Sequence, residues 1–249
     1  MDPRQSAAEA IQGFCRSLQM LARSGWRGFG CSARSPEILR RWETAPEWLQ
    51  PSPAAAPAVE TLAGIRDDLG ECTRCRLSQG RRNIVFGAGN PEARLVFVGE
   101  GPGYEEDVQG QPFVGAAGRL LTRIIQAMGL EREQVYICNI IKCRPPRNRD
   151  PKADEIERCA PFLRRQLQSI GPEFICALGS FAARTLLETD RPISRLRGRF
   201  YPYLGARLIP TYHPAYLLRS PEKKRETWQD IQLLMKAMNL PTPDQNRQR

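Results

Sequence analysis

The sequence predicts an α/β fold with a largely parallel sheet, and three observations carry that prediction. Short apolar, β-rich runs occur at Leu95–Val98, Val135–Ile141, Phe174–Leu178 and Arg207–Ile209. Helical patterns lie between and after them, which is the order of strands joined by crossover helices. The unusual motifs all sit at the C-terminal ends of these runs. Gly99-Glu100-Gly101-Pro102-Gly103 follows the first and Asn139 lies near the end of the second. Gly179-Ser180 follows the third, and Tyr212-His213-Pro214 the fourth. Ligands of open α/β sheets bind outside those strand ends, so residues far apart in sequence are expected to line one cleft.

Taken in order, residues 1–58 read as an N-terminal extension. Ile11, Phe14, Leu18 and Leu21 form one helical stripe, and "LQPSPAAAPAV" from Leu49 to Val59 reads as a proline-alanine linker. No activity is assigned to it. Residues 59–240 form the folded domain and 241–249 a polar tail. Within the domain, Leu120, Leu121, Ile124, Ile125 and Met128 mark one helical stripe, and Phe162, Leu163 and Leu167 another. Phe181, Leu186 and Leu187 follow Ser180, an expected N-cap, and Trp228, Ile231, Leu234 and Met235 mark a last helix.

The 249 residues include 37 Lys and Arg against 27 Asp and Glu, a net charge of +10. The extension holds 7 basic and 5 acidic residues, so most of the excess belongs to the domain. Such a balance favours a polyanionic partner, most often nucleic acid. No apolar run approaches the ~20 residues of a membrane span. The N-terminus carries Asp2, Arg4, Glu9 and Arg16 and no apolar core of a secretory signal, so the expected location is cytoplasmic. Eight cysteines there point to metal or redox chemistry before disulfides.

Cys72 and Cys75 form C-x2-C in "ECTRCRL"; Cys143 closes "CNIIKC" and Cys159 lies in "IERCAPFL". Four thiolates are a ligand set for an iron–sulfur cluster or a structural zinc. A zinc ribbon normally repeats its C-x2-C pair; here the third and fourth cysteines stand alone, which leans toward iron–sulfur and leaves zinc open. Cys138 and Cys176, inside apolar runs, read as core, and Cys15 and Cys31 receive no role. The glycines after Val98 permit tight turning, but no Gly-Lys-Ser/Thr follows, which argues against a nucleotide P-loop.

"GEGPGYEEDVQGQPFVGAAGRLL", "NIIKCRPPRNRDP" and "HPAYLLR", together with the cysteine set, closely resemble the family 4 uracil-DNA glycosylases. The resemblance covers about residues 60–240. It implies a three-layer α/β/α sandwich around a mainly parallel four-stranded sheet, and a 4Fe–4S cluster on Cys72, Cys75, Cys143 and Cys159. It implies hydrolysis of the N-glycosidic bond of uracil in DNA, single- or double-stranded, after the base is flipped from the stack; a monomer is the default expectation. Glu100 and Gly101 occupy the motif that positions water and deoxyribose. Phe113 would stack on uracil, Asn139 would read its edge, and His213, the single histidine, would face the departing base oxygen. Leu217 or Leu218 would enter the duplex in place of the base.

The chemistry needs these types. An amide can accept from uracil N3–H and donate to O4, and an imidazole N–H stabilises charge growing on the leaving base. Many other uracil glycosylases carry an aspartate where this chain has Gly101, so positioning and electrostatics are expected to outweigh general-base work by Glu100. Tyr104 is a candidate for crowding a C5 methyl group. Glu105, Glu106 and Asp107 read as a solvated turn or N-terminal helix charges, not a second catalytic set, "KCRPPRNRD" as a DNA or cluster wrap, and Arg219, Lys223, Lys224 and Arg225 as phosphate contacts. The competing reading is a non-catalytic iron–sulfur DNA-binding or redox-sensing protein on the same scaffold.

Overall fold

The computed structural model describes residues 60–241. The extension with its helical stripe, linker, Cys15 and Cys31, and residues 242–249 of the tail, lie outside the described residues.

Six strands form one sheet: β1 (Ala88–Gly89), β2 (Leu95–Gly99), β3 (Tyr136–Asn139), β4 (Phe174–Leu178), β5 (Tyr201–Tyr203) and β6 (Ala206–Thr211). Their order is β1-β3-β2-β4-β6-β5. The four inner strands are the four apolar runs and pair in parallel. The two short edge strands, β1 and β5, are antiparallel additions that the sequence pattern does not mark. They are 2 and 3 residues long, too short for an alternation to register.

The inner strands are apolar on both faces because both are covered. Val96, Val98, Cys138, Ile175, Ala177 and Leu208 face one layer, packed by α4 (Ala153–Ile170) and α5 (Gly179–Leu187). Leu95, Phe97, Ile137, Cys176 and Ile209 face the other, packed by α3 (Ala116–Ala127) and α8 (Lys224–Ala237). Residues of alternating parity thus build two cores, and the three-layer arrangement follows from the period-2 pleat. Cys138 and Cys176 are fully buried, one in each core. Helix α1 (Leu62–Leu69) starts at Thr61, whose hydroxyl accepts the Gly64 N–H at 3.1 Å. Arg165 of α4 ties it down through Glu60 and Asp68. The remaining helices are short: α2 (Tyr104–Gln109), α6 (Ile193–Leu196) and α7 (Pro214–Arg219). Helix α5 starts one residue before the expected N-cap: Leu178 caps it, and Ser180 lies inside its first turn.

Register sets the functional end of the sheet. Gly99 pairs with Asn139, and Leu178 with Thr211, so the inner strands finish at one level. The order reverses at β2, with β3 on one side and β4 on the other, which opens a crevice above their carboxyl ends.

One buried ionic cluster locks α8 to the sheet. Asp230, 1% exposed, accepts from Thr211 Oγ1 at 2.7 Å and from Arg197 Nε and Nη2, each at 2.9 Å. Removing the carboxylate leaves Thr211 Oγ1 without its acceptor and Arg197 with Glu226 alone, at 3.4 Å. Asp230→Ala is expected to lower the unfolding free energy by about 3 kcal/mol. Urea titration should show a lower midpoint with an unchanged slope.

Candidate active site

An open pocket of about 520 Å³ lies over the carboxyl ends of the inner strands. Glu100, Gly101, Phe113, Asn139 and His213 all line it, from four separate stretches of chain. Gly99 is what lets the floor close. A Cβ there would stand 2.4 Å from Asn139 Oδ1 and 2.6 Å from Phe113 Cζ. Asn139 is 1% exposed, and its Oδ1 has no hydrogen-bond partner. A buried amide oxygen left unpaired costs about 1–3 kcal/mol, and a ligand that donates to it recovers that energy. The Phe113 ring lies 5.6 Å from the His213 ring, centroid to centroid, tilted by 33°.

His213 precedes Pro214, the first residue of α7. Its Nδ1 accepts the Ala215 N–H at 3.1 Å, which assigns the proton of the neutral ring to Nε2. Burial pushes its pKa down to about 4, and Arg219 adds to the effect against an opposing pull from Glu106. Gly179 backs the ring: its φ is +91°, and a Cβ there would sit 2.9 Å from His213 Cβ. Glu100 has the opposite response to the same environment. Burial, with a smaller contribution from Asp150, pushes its pKa up to about 7. Gly101 packs on Ile141, with a Cβ position 2.7 Å from Cγ1, so an aspartate there requires Ile141 to move.

The two wedge candidates separate. Leu217 is 1% exposed and packs with Leu120 and Tyr212, so a role in the duplex is withdrawn for it: its side chain already completes a protein cluster. Leu218 is 42% exposed and free to meet a partner. The acidic stretch supplies the first turn of α2, as N-terminal helix charges, and two of its carboxylates are not solvated. Glu106 Oε2 accepts Gly103 N–H at 3.1 Å, and its Oε1 accepts Val114 and Gly115 N–H at 2.9 Å each. Asp107, 2% exposed, accepts Arg82 N–H at 2.8 Å and Asn83 N–H at 3.3 Å. Both hold loops around the pocket rather than water. Glu106 had a readable signal, a carboxylate three residues after a helix N-cap.

Tyr104 stands at the pocket mouth, 52% exposed, with the Arg82 and Arg144 guanidiniums 5.6 and 5.0 Å from its ring centroid. Asn148 and Asp150, not singled out in sequence, also line the pocket. In "KCRPPRNRD", Lys142 is fully buried and Arg149 is committed to buried Glu155 at 2.6 and 2.9 Å. Lys223 is committed to Glu226 at 2.6 Å, whereas Arg219 is exposed on the pocket wall.

The four candidate ligand cysteines form a second neighbourhood off the pocket. Lys142 N–H points at Cys159 Sγ, 3.3 Å away, and Arg81 Nη1 at Cys143 Sγ, 3.6 Å away. Arg81 also donates to the Cys72 carbonyl at 2.7 Å. Burial pushes the Cys143 thiol up to about 12, with Cys159 and Cys75 adding through their charge. Cys159 is raised likewise, with Cys75 and Cys72 among the causes. Among the described residues, no three His, Cys, Asp or Glu side chains converge on a single-ion site.

The two shifted groups of the pocket pull stability in opposite directions. A raised carboxyl keeps its proton in the folded chain after the unfolded chain has lost it. Glu100 therefore erodes stability as pH rises from its ordinary 4.5 to about 7. A depressed imidazole is already neutral when the unfolded chain is still charged, so His213 adds stability as pH rises from about 4 to 6.5. Glu100→Gln deletes the first effect only. Its stability relative to the parent is expected to rise across about pH 4.5–7 and to level off above, in denaturant titrations at stepped pH.

Comparison with known proteins agrees with this geometry. The family profile of the uracil DNA glycosylase superfamily matches residues 86–232. The chain is 42% identical over 190 residues to the type-4 uracil-DNA glycosylase of Saccharolobus solfataricus, covering 73% of this chain and 88% of the relative. It is 45% identical over 177 residues to that of Thermotoga maritima, covering 70% and 92%. The likeness to the type-5 uracil-DNA glycosylase of Thermus thermophilus is thinner, 31% over 152 residues, covering 52% and 68%. Matches of this depth along nearly the whole length of the type-4 relatives establish that the chain belongs to the uracil DNA glycosylase superfamily, in its type-4 branch.

Proposed function

We propose that this chain hydrolyses the N-glycosidic bond of uracil in DNA, releasing the base and leaving an abasic site. The observation that carries the reading is the unpaired Asn139 Oδ1, buried between Phe113 and the carboxyl ends of the strands. A flipped uracil presents N3–H to that oxygen and O4 to the amide nitrogen, while cytosine presents neither pattern. Phe113 offers the pyrimidine a π-surface.

Bond cleavage puts positive charge on the sugar and negative charge on the base. His213, neutral because it is buried, turns Nε2–H toward the base oxygen and stabilises the anion without transferring a proton. Glu100, when ionised, faces the cationic sugar and orients water. A pKa of about 7 matches the operating pH, the value at which a carboxylate serves best as a general base toward water, while its ionised fraction assists the cationic sugar electrostatically. Leu218 fills the space left in the duplex, and Arg219 offers a phosphate contact.

Cys72, Cys75, Cys143 and Cys159 are the proposed ligands of a 4Fe–4S cluster. An all-sulfur donor set and N–H groups aimed at two of the sulfurs support it. When bound, the cluster supplies a cross-link between the segments that carry these residues. None of the four lines the pocket, so the role is structural. Anaerobically purified protein is expected to be brown, with about equal iron and sulfide; stoichiometric zinc without iron would overturn the assignment.

Asn139 tests the base reading. Asn139→Asp removes the donor to O4 and adds negative charge beside an anionic leaving group. The lost hydrogen bond, about 1–3 kcal/mol, together with repulsion, should slow uracil release more than about 10-fold. Weak release of cytosine is expected alongside. Single-turnover assays on matched uracil- and cytosine-containing single strands measure both, and an unchanged uracil rate refutes the assignment.

A further inference from the structure

Phe113 has a backbone that its side chain disfavours. Its φ is +53°, a region that bulky residues enter only when their surroundings hold them there. The holding groups are explicit. Arg132 Nη1 donates to the Phe113 carbonyl at 3.0 Å, and Nη2 donates to the Pro112 carbonyl at 2.8 Å. Nη1 also donates to Thr122 Oγ1 at 3.0 Å, and that hydroxyl donates to the Gly118 carbonyl at 3.1 Å. On the far side, Glu106 accepts the next two N–H groups, those of Val114 and Gly115. A cation therefore grips the carbonyls and an anion the amides of one strained turn. Helix α3 seals it: a Cβ on Gly118 would stand 1.9 Å from the Phe113 carbonyl oxygen.

Each of these Arg132 hydrogen bonds ends on a neutral oxygen, so the side chain works here through the geometry of its fork, not through an ion pair. Arg132 also starts the short turn that feeds β3, the strand that ends at Asn139. The segment that carries the base-reading amide thus fixes the ring above it.

We propose that Arg132 is the positioning residue for the base-stacking ring: it holds Phe113 in the orientation that receives a flipped uracil. This rests on the reading that Phe113 stacks on the base, and the test separates the two. The experiment is a double-mutant cycle of Arg132→Gln and Phe113→Ala, read by single-turnover uracil release. Thermal stability and affinity for abasic-site DNA are measured in parallel. In the parent background, Arg132→Gln should slow release by about 100-fold, as expected for a misplaced reacting partner. In the Phe113→Ala background it should slow release by no more than about 3-fold, because the group it positions is gone. Affinity for abasic-site DNA, which presents no base to stack, should stay within about 2-fold of the parent. Arg132→Lys, which keeps a donor but loses the fork, should fall between, and it carries the same cycle if Arg132→Gln does not fold.

Equal slowing in both backgrounds overturns the proposal, since Arg132 then acts by another route. Weakened abasic-site binding that accounts for the rate loss overturns it in favour of a DNA contact. A parental rate for Phe113→Ala alone removes the stacking reading itself, and that outcome is visible before the cycle is completed.

Discussion

The pocket depends on a missing side chain. Strand β2 ends at Gly99, and over that bare backbone Asn139 and Phe113 meet at distances no Cβ would permit. The parallel register brings Asn139 opposite Gly99, so the pairing that builds the sheet also delivers the amide. From that contact the rest follows in order. The ring covers the amide, the amide oxygen loses access to water, and the unpaired oxygen becomes a demand that a donor of matching shape can satisfy. The apolar runs on either side keep the backbone rigid enough to hold this demand, because both faces of the inner strands are packed.

Burial then acts on two titratable groups with opposite signs. It favours the neutral form of each, which raises a carboxyl and depresses an imidazole. His213 is thereby kept as a neutral donor over the whole physiological range, and Glu100 is kept near its midpoint. The pocket relies on burial first, with Arg219 adding to the effect on His213 and Asp150 to that on Glu100. It also needs fixed walls, and those come from Glu106, whose carboxylate ties the turn after β2 to the turn after Phe113. A residue that reads in sequence as a solvated or helix-terminal charge is thus also a brace across the mouth.

What was legible in the sequence were features with a local signature. The four inner strands are continuous apolar runs, the strand-end motifs carry glycine, proline and a lone histidine, and the cysteines are countable. The antiparallel edges were not legible, since strands of 2 and 3 residues carry no period. The choice between Leu217 and Leu218 depended on which face of α7 packs on Tyr212, and one turn of helix offers no stripe to decide it. Arg132 lies 19 residues from Phe113, and nothing local links a surface-type residue to a carbonyl so distant. Long-range hydrogen bonds to backbone are invisible to periodicity and to motif spacing alike.

The cysteine neighbourhood and the pocket are joined by one residue. Lys142 presents its backbone N–H to Cys159 Sγ and its ammonium to the Asn139 carbonyl at 2.8 Å, with Gln166 Oε1 at 2.5 Å as a second acceptor. The side chain is 0% exposed, and among the described residues no carboxylate pairs with it. A buried ammonium with only neutral acceptors is costly. Burial pushes the Lys142 pKa down, and charge on Cys138, Cys159 and Cys143 opposes that shift. Thiolates held by a cluster would supply that charge permanently, where free buried thiols would not, since burial raises them. The strand end that presents Asn139 is therefore anchored from below by the buried Lys142 side chain. A cluster on the proposed cysteine ligands would by this route bear on the pocket's shape and not on its chemistry.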